Sequence, residues 1–139
     1  MPFKSPEFAK RLAFGSFIAL SFGLLGVAAT LDPSPSGLGT HQQLGLPPCS
    51  MRLMLGIRCP ACGMTTSWAH FMHGEWLSSI QVNIGGFLLA LYVIWFSFVL
   101  AKPLWTGQAP SLEVQKWAAI CLAGIAVIAF VNWGIQMLE

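Results

Sequence analysis

Three stretches of this chain contain no charged residue: Leu12–Leu31, Ile84–Ala101 and Trp117–Leu138. No other feature constrains the fold as strongly. A helix rises about 1.5 Å per residue, so about 20 residues cover the roughly 30 Å hydrocarbon core of a bilayer. Each run is close to that length. In hydrocarbon every backbone polar group must bond within the protein, and a helix does this internally. Hydrophobic residues make up 55% of the chain and charged residues 9%, against about a quarter charged in a soluble domain. So few charges cannot build a water-facing surface. The expected fold is all-α: a polytopic membrane protein with three transmembrane helices. A cleaved signal peptide competes for the first run, because Val27-Ala28-Ala29 loosely resembles a processing site. The run is longer than the usual apolar core of about 7–15 residues, which favours a retained helix.

The segments between the runs carry the punctuation. Residues 1–11 form a polar arm with Lys4, Lys10 and Arg11. Asp32-Pro33-Ser34-Pro35-Ser36-Gly37 ends the first helix, since two prolines and a glycine cannot continue it. Residues 32–83 then form a long loop, irregular as far as Pro48, with Leu77–Asn83 extending the second span toward the interface. Lys102-Pro103 is expected to stop the second span. Residues 102–116 form a connector, and Ser111 is placed to cap the third helix. Trp105, Trp117 and Trp133 fall at span ends, where an apolar ring with one N–H sits well. Trp95, in mid-span, is expected to pack against a helix or acyl chains.

Basic residues give an orientation. The arm and connector hold Lys4, Lys10, Arg11, Lys102 and Lys116, whereas the long loop holds Arg52 and Arg58. Positive-inside logic places the first group in the cytoplasm and leaves the loop and the C-terminus outside. Gly15, Ala19 and Gly23 recur at four-residue spacing, a candidate helix-packing seam. Cys121 reads as a small buried hydrophobe. Asn132 and Gln136 are the amides near a span end, and Asp, Glu, Lys, Arg and His are absent from the runs, which argues against a transporter or channel. A net charge of +2 without a basic run leaves no footprint for nucleic acid.

The loop segment Cys49 to Thr66 is the one compact chemical constellation. Pro60 suits the first position of a helix, with Cys59 as its N-cap. A short amphipathic helix over about 60–73 would place Met64, Trp68, Phe71 and Met72 on one stripe. Cys62, Thr66, His70 and His73 would lie opposite, and Gly74 would end the helix. Three readings of Cys49, Cys59 and Cys62 compete. A structural disulfide would pin the loop but leaves one cysteine over. A metal site, with zinc the natural ion, would use the Cys-x2-Cys spacing, Cys49, and His70 or His73. Thiol–disulfide chemistry would draw on a cysteine at a helix N-terminus, although no βαβ pattern accompanies it. No pair of carboxylates is spaced for acid–base catalysis.

These residues carry a resemblance. Cys49, Gly56, Cys59-Pro60-Ala61-Cys62-Gly63-Met64-Thr65, His73-Gly74 and Asn83 occur in order. The sequence thereby resembles a family of small bacterial membrane proteins that carry a domain of unknown function, over roughly residues 45–101. Two positions depart from that family's pattern: Thr66 replaces its usual Arg, and Ile84 its usual Pro. The resemblance implies residence in the bacterial inner membrane and a cysteine loop, and no established reaction. The expected function is a non-enzymatic membrane subunit or scaffold with a cysteine-stabilised exterior loop. Its partners are the lipid bilayer and other membrane protein subunits. Zinc binding, or redox chemistry at Cys59-Pro60-Ala61-Cys62, is the alternative.

Overall fold

The structure, a computed structural model, describes residues 6–138; Lys4, and with it the start of the expected N-terminal arm, lies outside the described residues. The described residues form helices and loops without a strand. In chain order they are α1 (Pro6–Ala29), a 3-10 helix (Thr40–Leu44), α2 (Ser50–Leu55), α3 (Met64–Met72), α4 (Trp76–Val82), α5 (Ile84–Thr106) and α6 (Leu112–Gln136). Of these, α1, α5 and α6 are long and apolar enough to cross a membrane. The chain is therefore a multi-pass membrane protein of the expected class.

Helix ends differ from the sequence expectation for local reasons. α1 starts ahead of Leu12 and runs through Lys10 and Arg11, because lysine and arginine propagate a helix well and only their charge is unwelcome in lipid. It ends at Ala29, where the Thr30 and Leu31 amides turn back to Val27 and Ala28. α5 passes through Pro103, which therefore does not stop it. The proline removes one N–H near the helix end, and the stop comes at Gly107, whose φ of 73° supplies the left-handed cap. α6 opens where expected, with Ser111 Oγ accepting from the Val114 amide at 3.4 Å. The stretch expected to extend α5 is a separate helix, α4, broken from α5 by extended backbone at Asn83.

α5 is the central element, packed against α1 on one side and α6 on the other, while α1 and α6 share no helix–helix contact. Phe17 meets Phe96 edge-on, with ring centroids 5.5 Å apart, and Gly15 faces Leu104, so α1 and α5 run antiparallel. Gly85 faces Ala129, and the Tyr92 hydroxyl donates to the Ala118 carbonyl, so α5 and α6 are antiparallel too. The Gly15–Ala19–Gly23 row is not a seam within the chain. Ala19 is exposed, and a Cβ on Gly23 would meet nothing within 4 Å. The buried positions of α1 are instead Ser21, Leu25 and Ala28, because aromatic rings set its spacing from α5. Cys121 is exposed rather than buried: α6 touches the rest of the molecule along one edge and buries only Ala118.

Two adjacent glycines let three elements converge at the start of α5. A Cβ on Gly86 would lie 3.0 Å from Ser67 Oγ of α3, and one on Gly85 would lie 2.5 Å from the Ala129 Cβ of α6. A Cβ at Gly85 would force a shift, and one at Gly86 would press on Ser67, so the two glycines let α5 be clasped from both sides. This clasp carries the cysteine loop.

Candidate metal centre

The loop is anchored through α3, which presents a small polar face to the bundle. Thr66, Ser67 and Ala69 are buried, whereas Met72 is exposed and Met64, Trp68 and Phe71 are half-buried. Of the side expected to lie opposite the apolar stripe, Thr66 is buried whereas His73 is exposed. Apolar side chains have no need to turn inward where the surroundings are lipid, while polar ones must find partners. They do find them. Ser67 Oγ lies 2.9 Å from Ser79 Oγ and 3.0 Å from the carbonyls of Ser79 and Asn83, and Ser79 Oγ donates to the Ser67 carbonyl at 2.7 Å. Thr66 Oγ1 pairs with Thr40 Oγ1 at 2.8 Å, which fastens the 3-10 helix to α3. The Trp68 indole donates to the Gly86 carbonyl at 2.8 Å.

The Cys-x2-Cys segment is not the first turn of that helix, as its proline suggests. Cys59–Cys62 forms a turn of its own, closed by the Cys62 amide on the Cys59 carbonyl at 2.9 Å. α3 then begins at Met64 behind Gly63, whose φ is 84°. A side chain at Gly63 would be strained and would also lie 3.0 Å from the Gly37 carbonyl oxygen. Asn83 grips the end of the turn. Its Oδ1 accepts from the Gly86 amide at 2.9 Å and so caps α5, while its Nδ2 donates to the Cys62 carbonyl at 3.1 Å. From the far side, Trp133 of α6 donates to the Arg58 carbonyl at 2.6 Å.

Cys49, at the N-cap of α2, completes the arrangement. The Sγ atoms of Cys49, Cys59 and Cys62 all lie within 4.8 Å of one another. All three cysteines are half-buried free thiols, with Cys59 Sγ 3.0 Å from Cys62 Sγ. A tetrahedral zinc with Zn–S bonds of about 2.3 Å sets its sulfurs about 3.8 Å apart. The cluster is therefore of the right size, with the Cys59–Cys62 pair opening by under about 1 Å to receive the ion. The thiols differ in acidity. Hydrogen bonds from the Arg52 amide, then the Cys59 thiol and the Met51 amide, hold Cys49 below its ordinary value. Burial, then the contacts with Cys62 and Cys49, push Cys59 up to about 12.

The cluster lines a cavity of about 80 Å³ together with His41, Arg52 and Thr66. Organic-ligand pockets run to about 300–1,000 Å³, so this cavity suits an ion with a few waters rather than a metabolite. Neither His70 nor His73 lines it. His70 Nδ1 is engaged by the Glu75 carboxylate, and His73 is exposed just beyond α3. His41 and Arg52 are the cavity residues that the sequence left unmarked. No spacing motif links His41 to the cysteines; tertiary contacts such as the Thr40–Thr66 bond bring the 3-10 helix to the thiols. Arg52 and Thr66 stand together in the cavity wall.

Residues 49–97 match the family described as Protein of unknown function (DUF2752). The matched span holds the three clustered cysteines, Asn83 and the start of α5. No curated protein and no solved structure matches the chain.

Proposed function

We propose, from the match of residues 49–97 to that family of unknown function, that this chain is a non-enzymatic membrane subunit whose loop is pinned by one thiophilic metal ion. Zinc is the ion of first choice, with Cys49, Cys59 and Cys62 as ligands. The observation that carries this reading is the convergence of three ligating sulfurs within 4.8 Å. A disulfide employs two sulfurs and strands the third, whereas a metal employs all three. Zinc would supply cross-linking of a loop that is otherwise held by hydrogen bonds, and the ligands are free thiols suited to it. Three thiolates on a divalent ion leave one negative charge, and Arg52 in the cavity wall offsets it.

The proposed setting is the bacterial inner membrane, with the N-terminus inside and the cysteine loop and C-terminus outside. Helix directions support it: Lys10 and Arg11, near the start of α1, share an end of the bundle with Lys102 and Lys116, and the cysteines occupy the other. Partners are the bilayer and other membrane subunits, without nucleic acid.

Elemental analysis of protein purified in mild detergent tests the reading. About one zinc per chain is expected, falling to near zero in Cys59→Ser/Cys62→Ser. Wild-type protein devoid of metal and slow to take it up would refute the proposal. The unequal acidities of Cys49 and Cys59 favour thiol–disulfide exchange as a second reading. Thiol counting with and without reductant separates the two, since a metal site yields three loop thiols after chelation alone.

A further inference from the structure

We propose that His41 is the fourth ligand of this centre, through Nδ1, making it a Cys3His site. The inference rests on the three-cysteine reading above and deepens it. Structural zinc is almost always four-coordinate, and three protein ligands leave one position to fill. Among the described residues at the cavity, His41 is the side chain with a nitrogen suited to zinc. Arg52 stays protonated and cannot ligate, and the Thr66 hydroxyl is occupied by Thr40.

The hydrogen bonding of His41 prepares it for that role. Its Nε2 lies 3.2 Å from the Pro47 carbonyl oxygen. A carbonyl only accepts, so Nε2 carries the proton and Nδ1 keeps its lone pair. A ring N–H given to a backbone carbonyl, with the other nitrogen on the metal, is the usual outer-shell arrangement of a zinc-bound histidine. The 3-10 helix Thr40–Leu44 is flanked by Gly39 and Gly45, both at positive φ, and is joined to α3 through Thr40. Gln43 also ties this five-residue unit to Asp32. His41 stands at the cavity wall, outside the set of three sulfurs that lie within 4.8 Å of one another, so ligation requires its ring to move toward them. His70 is unsuited by comparison, because its Nδ1 is already held by Glu75 outside the cavity.

X-ray absorption at the zinc edge tests this on full-length protein in detergent, loaded with zinc alone. Wild type is expected to show three sulfurs, one nitrogen and the outer-shell scattering of a single imidazole. His41→Ala should lose the imidazole signature, keep three sulfurs and bind zinc at least about 10–100-fold more weakly. His41→Cys should show four sulfurs and regain affinity, and His70→Ala/His73→Ala should leave the spectrum unchanged. Three sulfurs without imidazole in wild type would overturn the assignment of His41 and leave the three-cysteine site standing. Imidazole scattering that persists in His41→Ala would overturn it as well. Should His41→Ala take up no zinc, the wild-type spectrum and the His41→Cys spectrum decide between the same two outcomes. Failure of wild type to bind zinc would bring down both readings together.

Discussion

Asn83 uses one amide for two tasks: its oxygen caps α5 and its nitrogen holds the Cys62 carbonyl. Losing a capping side chain costs about 0.5–2 kcal/mol, and leaving a buried acceptor unpaired costs about 1–3 kcal/mol. Asn83→Ala should therefore lower unfolding stability in detergent by about 1–3 kcal/mol, with weakened zinc uptake. Asn83→Asp retains the cap oxygen and loses the donor, so its helix stability should exceed that of the alanine variant while the metal defect remains. The cysteines make a separate prediction. Alkylation requires the thiolate. Cys49 is held below its ordinary value and Cys59 is pushed up to about 12. In metal-free protein at neutral pH, peptide mapping should find Cys49 modified before Cys59. The sign for stability follows the same shifts. Folding favours the neutral thiol of Cys59, and that contribution is complete below the ordinary value of 9.0 and disappears as pH rises toward about 12.

At the scale of elements, the start of α5 is a clasp between α3 and α6. Gly85→Ala forces its new carbon against Ala129, with 2.5 Å available. The obstruction is α6 itself rather than the tip of a flexible side chain, so a helix must move. Overpacking of this kind costs about 1–3 kcal/mol, and thermal unfolding in detergent should register it. Gly124→Ala, with nothing within 4 Å, should be close to neutral and serves as the control. The polar face of α3 makes the complementary case. Ser67→Ala removes the hydroxyl shared by Ser79 and the Asn83 carbonyl, while both carbonyls keep their backbone amide donors, so the expected loss in unfolding stability is about 0.5–1.5 kcal/mol. Polar contacts do this work because apolar contact between helices offers little over contact with lipid.

For the whole molecule, three antiparallel spans place the cysteine loop and the end of α6 on one side. Trp133 joins them through the Arg58 carbonyl. The proposed orientation then predicts that a membrane-impermeant thiol reagent added to spheroplasts labels metal-free Cys49, and that a C-terminal reporter active only outside the cytoplasm is active. Labelling of Cys49 only after lysis would reverse the orientation. α6 buries Ala118 alone and leaves Trp117, Ile120, Leu122, Val127, Phe130 and Val131 exposed. This face meets lipid or a partner subunit, and affinity purification in mild detergent should recover the proposed partner.

The amino-acid sequence by itself determined the three spans, the cap at Ser111 and the loop between the first two spans, and it singled out Cys49, Cys59 and Cys62 as candidates. These depend on the polarity and conformational preference of residues close along the chain, which are the same wherever the chain goes. Tertiary structure decided that α5 is central, that the small polar face of α3 turns inward, and that Pro60 opens a turn rather than a helix. It also decided that His41, not His70 or His73, lines the thiol cavity. Each of these is settled by contacts between segments far apart in sequence, such as Thr40 with Thr66 and Asn83 with Cys62. A helical pattern indicates which side chains share a face. It does not indicate which face the bundle will take when lipid accepts one and hydrogen bonds reward the other.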